Sequence, residues 1–189
     1  MQVAAVILAA GASTRFGSQK QLARLAGGHT MLEEVIEIAR AAGLDPIIAV
    51  VPPGIAVPPD AVPELNDAPE AGMSRSLRLG LRAVPAESDA AVVLLGDQPT
   101  VRPKVIMTIL AAARGDRPVV AAHASGRIGP PVLIMRSSFD LADQARGDEG
   151  LRSMLAAKPE LVTSVEVGEH APDVDTPGDL AALGEERPG

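Results

Sequence analysis

Apolar runs alternate along this chain with stretches of helical periodicity. Val3–Ala9, Ile47–Val51, Ala91–Leu95, Val119–Ala122 and Leu161–Val167 are rich in Val, Ile, Leu and Ala, and Val132–Ile134 is a further short run. Runs of this length and composition predict strands buried on both faces. Between the first two, Thr30-Met-Leu-Glu33 has the spacing of a capping box, and Gly43 stands where a helix would stop. The spacing predicts a helix from there through Ala42, with Leu32, Val35, Ile36 and Ala39 on its apolar face. Further helices are predicted over Ser74–Ala83, Pro103–Ala113, Leu151–Ala157 and Asp179–Leu183, with Pro103 suited to a first turn. The Pro-rich stretch Pro52–Pro63 reads as a loop, too short to separate domains. Strands alternating with helices imply βαβ units and an α/β fold with a mostly parallel sheet. The length of 189 residues suits one domain.

In such a sheet ligands bind beyond the carboxyl ends of the strands. That directs attention to Gly11 onward, to Gly96-Asp97, and to Asp173–Asp175. The first loop reads Leu8-Ala-Ala-Gly-Ala-Ser-Thr-Arg-Phe-Gly-Ser-Gln-Lys20. Gly11, Ala12, Ser13 and Gly17 let backbone N–H groups approach an anion, and Arg15 and Lys20 add positive charge. The P-loop pattern fails because Gly11 and Gly17 are one residue too far apart, and the dinucleotide pattern fails at Ala12-Ser13. Residue types alone leave two readings: a phosphate grip, or a plain turn carrying two solvated cations.

Composition narrows the chemistry. The chain is 47% hydrophobic but only 1% aromatic, with two Phe and no Trp or Tyr, and that shortage of rings to stack on argues against a binder of single-stranded nucleic acid. A net charge of -7 also lacks the basic footprint a polyanion needs. There is no Cys, and His29, His123 and His170 have no ligand spacing, which argues against zinc. A metal here would be a hard cation on carboxylates. No basic residue precedes Arg15 and no run reaches membrane-spanning length, so the expectation is a cytoplasmic protein without a membrane partner.

The motif LAAGxSxRFGxxKxL, followed by GMSRSLRLGL at 72–81, LLGDQP at 94–99, GDEGLRSML at 147–155 and DVDTPGDL at 173–180, resembles the molybdenum-cofactor-type nucleotidyltransferases. Leu-Ala-Ala-Gly is similar to the molybdopterin cytidylyltransferase branch, whereas the guanylyltransferase branch has Leu-Ala-Gly-Gly. The resemblance implies a three-layer α/β/α Rossmann-like nucleotidyltransferase fold and Mg²⁺-dependent transfer from CTP to a phosphate-bearing acceptor such as molybdopterin. It implies nucleotide contacts from Leu8, Ala9, Ala10, Gly11, Ala12, Ser13 and Lys20, with Gly72 and Ser76 beside the base. Asn66, at the end of the preceding loop, is a further nucleotide-side candidate. Arg15, Lys20 and Asp97 would be catalytic, and Asp97 and Asp175 would hold the metal.

Each Asp also has a structural reading. Asp97 lies in a Gly-Asp-Gln-Pro turn, and Asp175 could cap the last helix. Asp173 rivals Asp175, since two-residue strand spacing would face both the same way. Ser74 reads as the N-cap of its helix, with Arg75 and Arg78 sharing a face. On the acceptor side, Arg127, Gly147, Gly150 and Arg152 are candidates to hold a phosphate, and Pro130 stands where the family has His. Departures of this kind leave other acceptors open, such as a sugar phosphate or phospholactate, and another nucleoside triphosphate such as GTP. A non-catalytic chaperone delivering a cofactor to a molybdoenzyme is the alternative from a different class, although it would not need the metal carboxylates.

Overall fold

The computed structural model describes residues 1–11, 16–17, 19–114, 117–122, 128–150, 152, 155, 159–168 and 171–185. Seven strands form one sheet: β1 Val3–Leu8, β2 Ile47–Val51, β3 Val62–Leu65, β4 Ala90–Leu95, β5 Val119–Ala122, β6 Ile128–Met135 and β7 Thr163–Glu166. Their order is β3-β2-β1-β4-β6-β5-β7. All neighbouring pairs are parallel except those of β6, which runs antiparallel to both β4 and β5. The expected mostly parallel α/β sheet is observed.

Strands β2 and β4 are buried at every position and β1 at all but its last, which is why they read as continuous apolar runs rather than alternating ones. Their side chains alternate between two cores. Ala5, Ile7, Ala49 and Val92 face α1 (Met31–Ala41) and α3 (Pro103–Ala112), whose Leu32, Ile36, Ile106 and Ile109 fill that side. Ala4, Val6, Ile48 and Val93 face α2 (Met73–Ala83) and the short α4 (Leu141–Gln144). Leu77 and Leu81 of α2 are buried in this second core, each contributing roughly 2 kcal/mol. The result is three layers, α/β/α.

Helix α1 carries its capping box as expected: Thr30 Oγ1 accepts from Glu33 N at 3.2 Å, and Glu33 Oε2 from Thr30 N at 2.7 Å. Gly43, at φ 79, ends it. Two expectations require correction. Pro52–Pro63 is not all loop, because β3 begins at Val62. It lies at the sheet edge, where the N–H that Pro63 lacks is not required by a second neighbour. The run Val132–Ile134 is the middle of a longer strand, β6. The expected helix Leu151–Ala157 falls mostly outside the described residues, although Leu155 is buried in the second core. The last helix is α5, Pro177–Glu185. Among the described residues no helix is long and apolar enough to cross a membrane.

Candidate active site

Leu8 of β1 pairs with Leu95 of β4, so both strands end at one level. The chain leaving β1 and the chain leaving β4 therefore emerge side by side. A cavity of about 340 Å³ opens there, lined by Leu8, Ala9, Ala10 and Gly11 on one side and by Gly96 and Asp97 on the other. The small side chains of this ledge leave its backbone open to a ligand. Gln21 holds it in place from beneath. Its amide, 3% exposed, donates to Ala9 O at 2.7 Å and Gly11 O at 3.1 Å.

Lys20, on a 3-10 turn spanning Lys20–Leu22, crosses this cavity. Its ammonium donates to Asp97 Oδ2 at 2.7 Å, to Asp175 Oδ1 at 3.1 Å and to Val174 O at 3.3 Å. The three side chains are 13%, 22% and 32% exposed. Burial opposes the Lys20 charge, but the hydrogen bonds and charges of Asp97 and Asp175 outweigh it and hold its pKa above the ordinary value. Burial also pushes the Asp97 carboxyl upward, against the pull of Lys20, and the charge of Asp173 adds to the rise.

The second carboxylate comes from a segment stitched to β4 by a bond from Val174 N to Asp97 O, 2.9 Å. That segment is not a strand, so the alternation that made Asp173 and Asp175 equivalent does not apply. Asp173 accepts from Gln98 Nε2 at 2.8 Å, while Asp175 reaches Lys20. The cap of α5 is formed by Thr176 and Asp179, through Asp179 N to Thr176 Oγ1 at 3.2 Å and Thr176 N to Asp179 Oδ2 at 2.8 Å. Asp175 is thus not the capping side chain.

Among the described residues Asp97 Oδ1 is buried without a hydrogen-bond partner, as are Oε1 of Gln21 and Oε1 of Gln98. A buried carboxylate oxygen lacking any donor is costly unless a cation or donor arrives. Asp97 with that oxygen, and the Asp175 carboxylate that shares Lys20 with it, offer an all-oxygen donor set that fits a divalent hard cation. Among the described residues no group of three or more His, Cys, Asp or Glu is poised to hold a metal, so further ligands must come from elsewhere.

The opposite wall is the start of α2. Gly72, not Ser74, is its N-cap, and the carboxylate of Asp148 accepts from Met73 N at 3.3 Å. Gly72 has φ 85, and a Cβ placed on it would stand 2.6 Å from the carbonyl carbon of Gly147. Only glycine allows that approach, and Ser74 is instead buried. Ser76 lines the cavity and Asn66 does not. Asn66 is fully buried, with Oδ1 accepting from Arg75 Nε and Ala68 N and Nδ2 donating to Ser76 Oγ at 2.9 Å. It therefore acts on the cavity through Ser76. Arg75 also pairs with Asp67, and Arg78 donates to Ala145 O, so both fasten α2 to its surroundings.

The structure thus brings Leu8, Ala9, Ala10, Gly11, Lys20, Gly72, Ser76, Asp97 and Asp175 to one cavity. Ala12, Ser13, Arg15 and Arg127 lie outside the described residues. Sequence reasoning missed Gln21, Gln98 and Asp148. All three sit inside quoted motifs, the first two next to Lys20 and Asp97, but their roles depend on partners remote in sequence or on backbone groups that a residue pattern does not mark.

A parallel sheet whose strand ends present a small-residue ledge, a lysine and two aspartates defines a class, the α/β proteins that handle phosphorylated nucleotides. Residues 5–163 match the model of the MobA-like NTP transferase domain, and the chain belongs to that family of nucleotidyltransferases. Among solved structures it is similar to Rv0371c from Mycobacterium tuberculosis H37Rv, at 28% identity and TM-score 0.85, with 98% of this chain and 99% of that chain covered. A complex of Rv0371c with manganese from the same organism aligns at 28% identity and TM-score 0.82, covering 99% and 100%. The fold also matches a CMP:2-keto-3-deoxy-manno-octonic acid synthetase complexed with CTP, at 17% identity and TM-score 0.74, covering 98% of each chain. Comparison with curated sequences finds no significant match.

Proposed function

We propose that this chain transfers the cytidylyl group of CTP to a phosphate-bearing small molecule, molybdopterin being the acceptor its motifs resemble, with release of pyrophosphate. The observation that carries the reading is Lys20 held between Asp97 and Asp175 above the Leu8–Gly11 ledge. Two carboxylates able to take a divalent ion, and an ammonium they can then release to the phosphates, stand at the ends of parallel strands beside backbone that a triphosphate can lie against.

The acceptor phosphate oxygen attacks the α-phosphorus and the bond to the β-phosphate oxygen breaks in line. A phosphate monoester has a second pKa near ~6, so the nucleophile is already largely dianionic at neutral pH and needs no general base. Positioning and charge neutralisation supply the rate. In this reading Asp97 and Asp175 would hold Mg²⁺ or Mn²⁺. When bound, that ion supplies positive charge to the triphosphate oxygens. The manganese complex of Rv0371c supports a divalent metal in this fold. Lys20 shifts its charge from the carboxylates toward the phosphates, and Arg15 adds a second cation from the same loop. Because Asn66 donates to Ser76 Oγ, the Ser76 hydroxyl hydrogen is left for an acceptor on the base, such as the pyrimidine carbonyl. The CTP complex of the synthetase with this fold supports cytosine as the base.

The test is pyrophosphate release with each of four nucleoside triphosphates, molybdopterin and Mg²⁺ or Mn²⁺. CTP alone should give turnover with the acceptor present. Binding of CTP with no release on any phosphate acceptor would favour the carrier alternative and overturn the reading.

A further inference from the structure

A second cavity, about 500 Å³, lies across a wall formed by Leu8, Met73, Leu95 and Asp148, which line both cavities. Its interior is largely apolar, with Leu77, Val93, Val132 and Leu155 among its lining residues. Three charged side chains face it: Asp148, Asp173 and Arg152. Asp148 is engaged by Met73 N and Asp173 by Gln98. Among the described residues Arg152 has no hydrogen bond or ion pair.

The placement of Arg152 is built into β6. Its guanidinium lies over the α-carbon of Gly129, where a methyl group would stand 3.0 Å from one terminal nitrogen and 3.4 Å from Nε. Gly129 is within a strand and has no positive φ, so its lack of a side chain matters here for the close seat it gives the guanidinium and not for backbone freedom. A guanidinium without a partner among the described residues, at the edge of an apolar cavity, is suited to bidentate capture of a phosphate.

We propose that this second cavity is the acceptor site and that Arg152, seated on Gly129, binds the acceptor's anionic group. The inference rests on the nucleotidyl-transfer reading for its name as an acceptor site. The lining also specifies the acceptor class: an organic phosphate whose body is a ring or apolar chain. A densely hydroxylated sugar phosphate would surrender its water hydrogen bonds to Leu77, Val93 and Leu155 with nothing in return.

Calorimetry on the full chain tests this with three probes: phenyl phosphate, glycerol phosphate and phenol. Phenyl phosphate should bind about tenfold tighter than either of the others, since each lacks one of the two recognised features. Arg152→Gln should weaken phenyl phosphate about tenfold or more, and Gly129→Val, which fills the space beneath the guanidinium, should weaken it in the same direction. Lys20→Met, which removes the cation of the first cavity, should leave phenyl phosphate affinity unchanged. Equal affinity in Arg152→Gln, a loss that follows Lys20 instead, glycerol phosphate binding as tightly as phenyl phosphate, or no phenyl phosphate binding at millimolar concentration each overturns the proposal. CTP is titrated in parallel. Failure of CTP to bind, with Arg152-dependent phenyl phosphate binding intact, would sink the nucleotidyl reading and leave the anion site standing.

Discussion

Replacing Lys20 by Met removes one ammonium from between two carboxylates while keeping most of the side-chain volume. Breaking a fully buried ion pair by deleting one partner costs ~3–5 kcal/mol, and an exposed pair contributes ~0–1 kcal/mol. With Lys20, Asp97 and Asp175 at 13%, 22% and 32% exposure, the metal-free variant should lose roughly 1–3 kcal/mol. For a chain of this size that lowers Tm by roughly 3–10 °C. The loss is limited because Asp97, whose carboxyl is already pushed upward by burial, takes a proton more readily once Lys20 is gone. Adding Mn²⁺ should then stabilise the variant more than the wild type, because a divalent ion no longer competes with an ammonium for the same oxygens. Differential scanning calorimetry with and without Mn²⁺ reads both effects. The alkaline limb gives an independent check. A lysine held above its ordinary value of 10.5 contributes stability that is fully present below that pH and is lost as pH rises through the higher folded value. The Tm gap between wild type and variant should therefore narrow above pH 10.5. An unchanged Tm in the variant, or manganese stabilising the wild type at least as much, would refute the reasoning.

Four further outcomes follow from the geometry of the site and of the α1 cap. Asp97→Asn and Asp175→Asn should each lower turnover by about 10²–10³-fold, whereas Asp173→Asn, whose carboxylate is held by Gln98, should cost at least ~10-fold less; steady-state pyrophosphate release measures all three. Gly72→Ala places a methyl 2.6 Å from the Gly147 carbonyl carbon at φ 85, so urea denaturation should show a loss of at least ~2 kcal/mol. In α1, Thr30→Ala should cost ~1 kcal/mol by thermal melting. The backbone hydrogen bond from Thr30 lowers the Glu33 pKa, so its contribution is present above the ordinary carboxylate value and fades as pH falls through the lowered one; Glu33→Gln should remove that pH dependence.

Much of the fold was legible because β1, β2 and β4 are buried on both faces and so read as unbroken apolar runs. The capping box of α1 was legible because its two partners are three residues apart. Strand direction was not, since nothing in the local pattern of Ile128–Met135 records which way its neighbours run. β3 was hidden by Pro63, which is compatible with a strand only because that strand is an edge. At the site, the motif order marked Lys20, Asp97 and Asp175. It did not separate Asp175 from Asp173, because what distinguishes them is the Gln98 amide on Asp173, Lys20 on Asp175, and the absence of a strand over residues 173–175. Ser74 read as a helix cap for want of Asp148, which supplies the cap from 75 positions away.

The single reversed strand has a consequence for how such a protein diversifies. Because β6 runs backward, its beginning, Ile128-Gly129-Pro130, reaches the same rim as the ends of β1 and β4. The nucleotide side is assembled from where parallel strands finish, and the neighbouring cavity from where an antiparallel one starts. The paired ends of β5 and β6 that bound the β5–β6 hairpin lie at that rim, Ala122 opposite Ile128. Lengthening or recoding the hairpin alters one compartment while leaving the register of β1 on β4, and with it Lys20 and Asp97, untouched. If the second cavity takes the acceptor as proposed, acceptor choice and nucleotide chemistry are mechanically separable, and one can drift while the other is retained.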